Sequence, residues 1–182
     1  MTRFILKDFV YLYTDGASRG NPGPSSCAFV VRDKNHELFL KDSKCIGITT
    51  CNVAEYKALI FGLEALLKFP FRGRVIVRSD SMLMVKQMMG KWKIKSKRIA
   101  DEEYNARKLL ESFESYNFKH IPRRYNKEAD QLCNEALDNE VMDIENDICA
   151  FDPVQIDLTT PRKIVIKRTN PCIKTYDEVT LE

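Results

Sequence analysis

Four acidic side chains stand where a packed core has no use for them. Asp15 directly follows Phe9-Val-Tyr-Leu-Tyr-Thr14, a β-branched and aromatic run that reads as a buried central strand, apolar on both faces. By period-two alternation it shares a face with Phe9, Tyr11 and Tyr13. Asp80 follows Arg74-Val-Ile-Val-Arg-Ser79 in the same way. Glu55 falls in the first turn of a helical pattern, on the side of Leu59 and Gly62, and Asp130 opens another, after Asn126. Singly, each has an ordinary explanation: acids at strand ends form turns, and acids in a first helical turn complement the helix dipole. Together, two parallel strands ending in Asp and flanked by helical carboxylates would gather negative charge at one sheet edge. Such a cluster is costly unless cations neutralise it. Ligands that are all oxygen select hard ions, Mg²⁺ or Mn²⁺, and Mg²⁺ keeps waters and takes phosphate oxygens. Two such ions about 4 Å apart would align an attacking water and stabilise the leaving oxygen of a phosphodiester.

The elements that must position these acids are legible from periodicity. The first strand, 9–14, stops at Asp15-Gly16, and Gly20-Asn-Pro-Gly-Pro24 is a turn cluster. Residues 26–32 and 37–46 are two more strands, joined around Asp33-Lys34-Asn35 in an antiparallel meander. From Asn52, read as an N-cap, Val53, Tyr56, Leu59, Ile60, Leu63, Leu66 and Leu67 recur at helical spacing until Pro70. A strand over 74–79, a short helix over 81–89 ending at Gly90, a helix over 98–114, a strand over 116–121 and a helix from Asn126 to about 138 complete the body. The order βββ-α-β-α-α-β-α implies a mixed sheet with helices on its faces and right-handed crossovers onto parallel strands.

Composition narrows the class. The chain has 182 residues, 44% hydrophobic and 30% charged, which suits one globular domain with an appendage and argues against a disordered, collagen-like or disulfide-scaffold chain. No apolar run approaches the roughly 20 residues of a membrane helix, and Lys7 and Asp8 interrupt any leader pattern. The six cysteines form no Cys-x-x-Cys pair, so the expectation is a reducing setting, intracellular, cytoplasmic or nuclear. Residues 1–138 hold 24 Lys and Arg against 17 Asp and Glu, whereas residues 139–182 hold 5 against 9. The body is therefore basic and the extension acidic. The clustering of Lys86, Lys91, Lys93, Lys95, Lys97 and Arg98 around Trp92 favours a polyanion-binding surface over an evenly solvated one. If extended, the segment would put Lys91, Lys93 and Lys95 on one face as a rail for phosphates. In the tail, Lys163 to Lys167 reads as a further strand, and residues 148–158 carry apolar positions.

Four pieces in this order and spacing resemble type 1 ribonuclease H: Tyr13-Thr-Asp-Gly-Ala-Ser-Arg-Gly-Asn-Pro-Gly-Pro24, Asn52-Val-Ala-Glu-Tyr-Lys-Ala-Leu59, Arg78-Ser-Asp-Ser81 and Asn126-Lys-Glu-Ala-Asp130. The resemblance spans residues 8–138 and leaves 139–182 as an acidic extension without a counterpart. It implies an α/β, RNase H-like fold: a five-stranded mixed sheet, order 3-2-1-4-5, with helices on both faces. It implies an endoribonuclease that hydrolyses the RNA strand of RNA/DNA hybrids with two Mg²⁺ ions, or Mn²⁺ in their place, leaving 5′-phosphate and 3′-hydroxyl ends; nothing in the chain resembles a coiled coil, and the expectation is a monomer. The family's four carboxylates fall on Asp15, Glu55, Asp80 and Asp130. Asp15 would bridge the ions, Glu55 and Asp80 would hold one and Asp130 the other, and Glu55 would also contact a 2′-hydroxyl.

Substrate contacts carry over to Gly16, Ala17 and Ser18 at the RNA backbone, Asn52 in the minor groove and Thr50 at a DNA-strand phosphate. Ser81 and Gln87 are candidates for backbone and minor-groove contacts, with a surface role the alternative for Gln87. Lys91, Lys93, Lys95 and Trp92 occupy the place of the family's basic protrusion in compact form; Trp92 either packs in the core or lines the DNA-strand channel. Cys51 replaces the first of two asparagines common in relatives. The segment Ile121–Asn126 lacks a histidine, and Arg123 there would steer phosphate or assist release of product and metal. His120 reads as a structural histidine at a strand end, and Asn21 as a loop-ordering residue. Two other readings stay open: a nucleic-acid-binding module with little or no cleavage that acts with a protein partner through the extension, and a nuclease of this fold acting on duplex RNA or branched DNA.

Overall fold

Alternation along the first strand decides the architecture. In the computed structural model, β1 (Phe9–Ser18) turns Val10, Leu12 and Thr14 into a fully buried layer and leaves Phe9, Tyr11 and Tyr13 half-buried on its other face. The structure describes residues 9–149, with side chains over 9–140. The expected strand at 163–167 and the apolar stretch from 150 onward lie outside the described residues.

β1 pairs antiparallel with β2 (Gly23–Arg32), which pairs antiparallel with β3 (Leu38–Thr49). On its other side β1 pairs parallel with β4 (Arg74–Ser79), and β4 pairs parallel with β5 (Ser115–His120). The order is β3-β2-β1-β4-β5, as expected. β1 does not stop at Asp15-Gly16: its ladder with β2 continues through Asp15↔Ala28 to Ser18↔Ser25. The pairing with β4 does end there, at Thr14↔Ser79. Asp15 is therefore the first residue at which β1 has lost one neighbour and kept the other. Ligand sites in α/β sheets form at such switch points, where the chain leaves neighbouring strands in opposite directions.

The helix α1 (Cys51–Leu67) begins at the end of β3 with no loop between them. Its N-cap is Thr50, whose Oγ1 accepts from the Val53 N–H at 3.5 Å, and Asn52, expected in that role, lies inside the first turn. Tyr56, Leu59, Leu63 and Leu66 are fully buried in a core that also holds Val10 and Leu12 of β1 and Phe29 and Val31 of β2. Burying each such side chain is worth about 2 kcal/mol. A Cβ on Gly62 would come within 2.6 Å of Leu12 Cδ1 and 3.1 Å of Phe29 Cβ, so the helix sits close down on the sheet.

Next come α2 (Met82–Met88), capped by Ser81, and α3 (Lys97–Leu110), shorter than the expected 98–114. Gly90, at φ 70°, turns the chain after α2. After a 3-10 turn at Arg123–Tyr125, α4 (Lys127–Cys149) runs past the expected end near 138. It lies on the opposite face of β2: Phe29 and Val31 join the α1 core, whereas Ser26 donates to the Cys133 carbonyl at 2.7 Å.

One buried pair joins α1 to α2. Tyr56 OH donates to Gln87 Oε1 at 3.0 Å, and Gln87 Nε2 donates to the Lys93 carbonyl at 3.4 Å. Tyr56→Phe strands the Gln87 oxygen and should cost about 1–2 kcal/mol in urea unfolding. An unchanged midpoint and slope would show that the hydrogen bond contributes nothing.

Candidate active site

Glycine 16 sets the site's geometry. A Cβ there would stand 2.3 Å from the Ala54 carbonyl carbon and 2.3 Å from the Glu55 nitrogen. The first turn of α1 thus rests on bare β1 backbone, and Glu55 arrives beside Asp15. The Gly16 backbone also favours the charged form of the Glu55 carboxylate, less than burial opposes it. Asp80, one residue past the last β4 pair, completes the group: Asp15, Glu55 and Asp80 each bring a carboxylate oxygen to within 4.8 Å of the others.

Several contacts hold this arrangement against its own repulsion. Asn126, buried at the start of α4, donates from Nδ2 to Asp80 Oδ1 at 2.8 Å and to the Thr14 carbonyl at 3.0 Å. Cys133 donates to the Asp15 carbonyl at 3.1 Å, with its thiol pushed upward by burial. The His120 ring nitrogen lies 3.2 Å from the Asp80 carbonyl. Neither Asn126 nor Cys133 was expected at the site. Asn126 read only as a cap, although its fixed spacing from Asp130 was already part of the motif; nothing in the sequence marks Cys133.

The electrostatics are those of a cation site. Burial, then the charges of Asp80 and Asp130, push the Asp15 carboxyl from 3.8 up to about 7. Burial, then the charges of Asp15 and Asp80, hold Glu55 well above its ordinary value, and its Oε2 is buried with no hydrogen-bond partner among the described residues. All-oxygen donors, an orphaned carboxylate oxygen and strained ionisation fit a hard divalent ion.

The fourth acid stands apart. Asp130 accepts from Arg123 Nη2 at 2.5 Å and is not part of the close group, though its charge reaches Asp15. Arg123 is exposed, and the pairing with Asp130 raises its already high pKa.

The expected substrate contacts divide. Gly16, Ala17 and Ser18 are partly exposed beside the acids. The Ser18 hydroxyl lies 2.6 Å from the Gly20 carbonyl and 3.1 Å from that of Thr49, within the turn. Asn21 accepts from the Cys51 N–H at 3.2 Å, so it does order its loop. Cys51 and Asn52 are exposed on the first turn of α1. Thr50 and Ser81 use their hydroxyls as helix caps and remain partly exposed. One expectation needs correction, and one of two readings of Trp92 falls away. Gln87 is neither a surface residue nor open to substrate: it is 7% exposed, with its amide spent on Tyr56 and Lys93. Trp92 is not core; it is 49% exposed beside exposed Lys91, Lys93 and Lys95. That segment is not extended throughout, because the N–H groups of Lys91 and Trp92 both turn back to the Lys86 carbonyl.

Comparison with known proteins places this geometry. A family model described as reverse transcriptase-like matches residues 13–136. The chain is 41% identical over 130 residues to ribonuclease HI of Halobacterium salinarum, covering 71% of this chain and 65% of that one. It is 30% identical over 146 residues to ribonuclease H of Coxiella burnetii, covering 72% and 92%. The crystal structure of LC11-RNase H1 in complex with RNA/DNA hybrid superposes with a TM-score of 0.70 at 40% identity, covering 72% of this chain and 99% of that one. About a third of the halobacterial protein thus lies outside the match.

Gly16→Ala must lift α1 off β1. It should cost about 3 kcal/mol or more in stability, read by denaturant unfolding; a variant as stable as the parent would deny the close contact. Asp15→Asn should do the opposite when a chelator is present. A carboxyl with a raised folded-state pKa holds its proton more tightly in the native protein, so stability drops as pH climbs from about 4 to about 7. At pH 8 the variant should gain on the order of 2 kcal/mol, and at pH 4 nothing. Divalent ions should then stabilise the parent and not the variant. Equal melting temperatures for both, with and without Mg²⁺, would remove Asp15 from the ion site.

Proposed function

The chain belongs to the ribonuclease H family, and from that premise we propose that it hydrolyses the RNA strand of RNA/DNA hybrids, leaving 5′-phosphate and 3′-hydroxyl ends. The observation that carries this reading is the meeting of Asp15, Glu55 and Asp80 within 4.8 Å at the switch point, with one buried oxygen left unpartnered. Asp15, Glu55 and Asp80 would hold divalent ions, and Asp130 would contribute from α4; the preferred reading is two Mg²⁺ ions, with Mn²⁺ able to substitute. When bound, such ions neutralise charge on phosphate oxygens and make water acidic enough to attack at neutral pH.

The chain's own groups position the reaction. β1 and β4 fix the two aspartates on neighbouring parallel strands, and Asn126 locks the Asp80 carboxylate to the Thr14 carbonyl. Fixed acids of this kind need no reorganisation as charge develops. Gly16 presents bare backbone beside the cluster, which lets an RNA backbone approach. The second oxygen of Glu55 serves as an acceptor for a 2′-hydroxyl, the group that distinguishes RNA from DNA. Arg123, exposed and paired with Asp130, offers charge to a neighbouring phosphate. Trp92 and the three lysines beside it supply the DNA strand with an aromatic face and counter-charge.

The test uses an end-labelled RNA/DNA hybrid beside single-stranded RNA, duplex RNA and duplex DNA, with Mg²⁺ or Mn²⁺. Cuts should appear inside the RNA strand of the hybrid alone, and Asp15→Asn should lower the rate by about 10³-fold or more. Hybrid binding without cleavage by the folded parent would instead favour the binding module. Cleavage of duplex RNA or DNA at the hybrid's rate would overturn the substrate assignment.

A further inference from the structure

Beside the carboxylates, on the face of the sheet that carries Tyr13, lies a second feature to which the proposed cleavage assigns no role. The parallel registers Tyr13↔Arg78 and Arg78↔Lys119 set these three side chains in a row across β1, β4 and β5. Arg78 lies over the Tyr11 ring at 3.8 Å and donates to Tyr13 OH at 2.5 Å, so the cation is fixed between aromatics. The row lines an open cavity of about 370 Å³, together with His120, Ile121, Pro122 and Tyr125. Among the described residues, no carboxylate lines it. A smaller cavity of about 220 Å³ shares Tyr13 and Tyr125 and adds Arg32, Arg124 and Lys127. Its one acid, Glu128, is occupied by Arg32 at 2.5 Å and Lys41 at 3.2 Å. Tyr125, 61% exposed, stands between the two cavities.

We propose that these paired cavities bind single-stranded nucleic acid continuing from the hybrid, with one unpaired base and its phosphate in the larger cavity. An aromatic surface interleaved with cations is the chemistry that holds single strands, because every base offers a face to stack and every phosphate a charge. The larger cavity lies within the ~300–1,000 Å³ range of small-ligand pockets, too small for a duplex. In a duplex the bases stack on one another and are not free to enter. The cavity also adjoins the cluster: His120 lines it and touches the Asp80 carbonyl. A strand held here would anchor a hybrid at its junction with a single-stranded segment. This continuity rests on the proposed hybrid cleavage; the binding itself does not.

The test uses full-length protein in EDTA with a fluorescein-labelled dT12 oligonucleotide, read by anisotropy. Lys119 and Tyr125 are exposed and outside the carboxylate cluster, so they can be changed together. Lys119→Ala with Tyr125→Ala should weaken binding by about 10-fold, and Lys119→Arg with Tyr125→Phe should restore it. With Mg²⁺, cleavage of a blunt hybrid should be unchanged in the alanine pair, whereas a hybrid with a single-stranded overhang should show a raised KM. No measurable dT12 binding by the parent, or equal binding by the alanine pair, overturns the proposal even if blunt hybrid is cleaved. Failure of the parent to cut blunt hybrid would count against the proposed function, and dT12 binding would still decide the cavity.

Discussion

The contact between Gly16 and the Ala54–Glu55 peptide is the constraint on which the site depends. Two backbones meet where any side chain would intervene. That closeness brings the first turn of α1 to the one place where β1 has lost β4 and kept β2. The helix then delivers Glu55 at the level of Asp15, and β4 delivers Asp80 one residue past its last pair. Sheet topology, helix placement and the spacing of acids are therefore one arrangement. The large apolar residues of α1 exist in this sense to press a glycine against a peptide.

The same closeness creates the site's cost. Carboxylates forced together in a half-buried corner resist ionisation, and both Asp15 and Glu55 show it. Directed polar contacts from the start and body of α4 hold the corner in place: the Asn126 amide and the Cys133 thiol. Donors of this kind orient the acids without cancelling their charge. A site that must attract cations needs its charge left over. Asp130 is the exception, because Arg123 already answers it.

The sequence showed the sheet and the acids because both leave periodic or positional marks. Val75-Ile-Val77 has one structural reading, and Asp80 after it another. Strand ends were less legible. β1 runs on through Gly16 because β2 keeps pairing with it, and that partner is remote in the sequence. Asn52 has the better capping chemistry, but β3 runs straight into the helix, so the cap falls on Thr50. Gln87, expected at substrate or at the surface, is inside, and Trp92, open to two readings, is outside. A buried hydrogen bond to Tyr56 decides the first, and the turn onto the Lys86 carbonyl accompanies the second. Asn126 was visible as a cap and not as a clamp on Asp80, because its partners come from β1 and β4.

The central claim is that Asp15, Glu55 and Asp80 form a cation site at the end of β1. Diffraction from Mn²⁺-soaked crystals, recorded at the manganese absorption edge, tests it most directly. The account predicts anomalous peaks in contact with oxygens of all three carboxylates. Manganese bound elsewhere, with these three acids left to share protons among themselves, would contradict it.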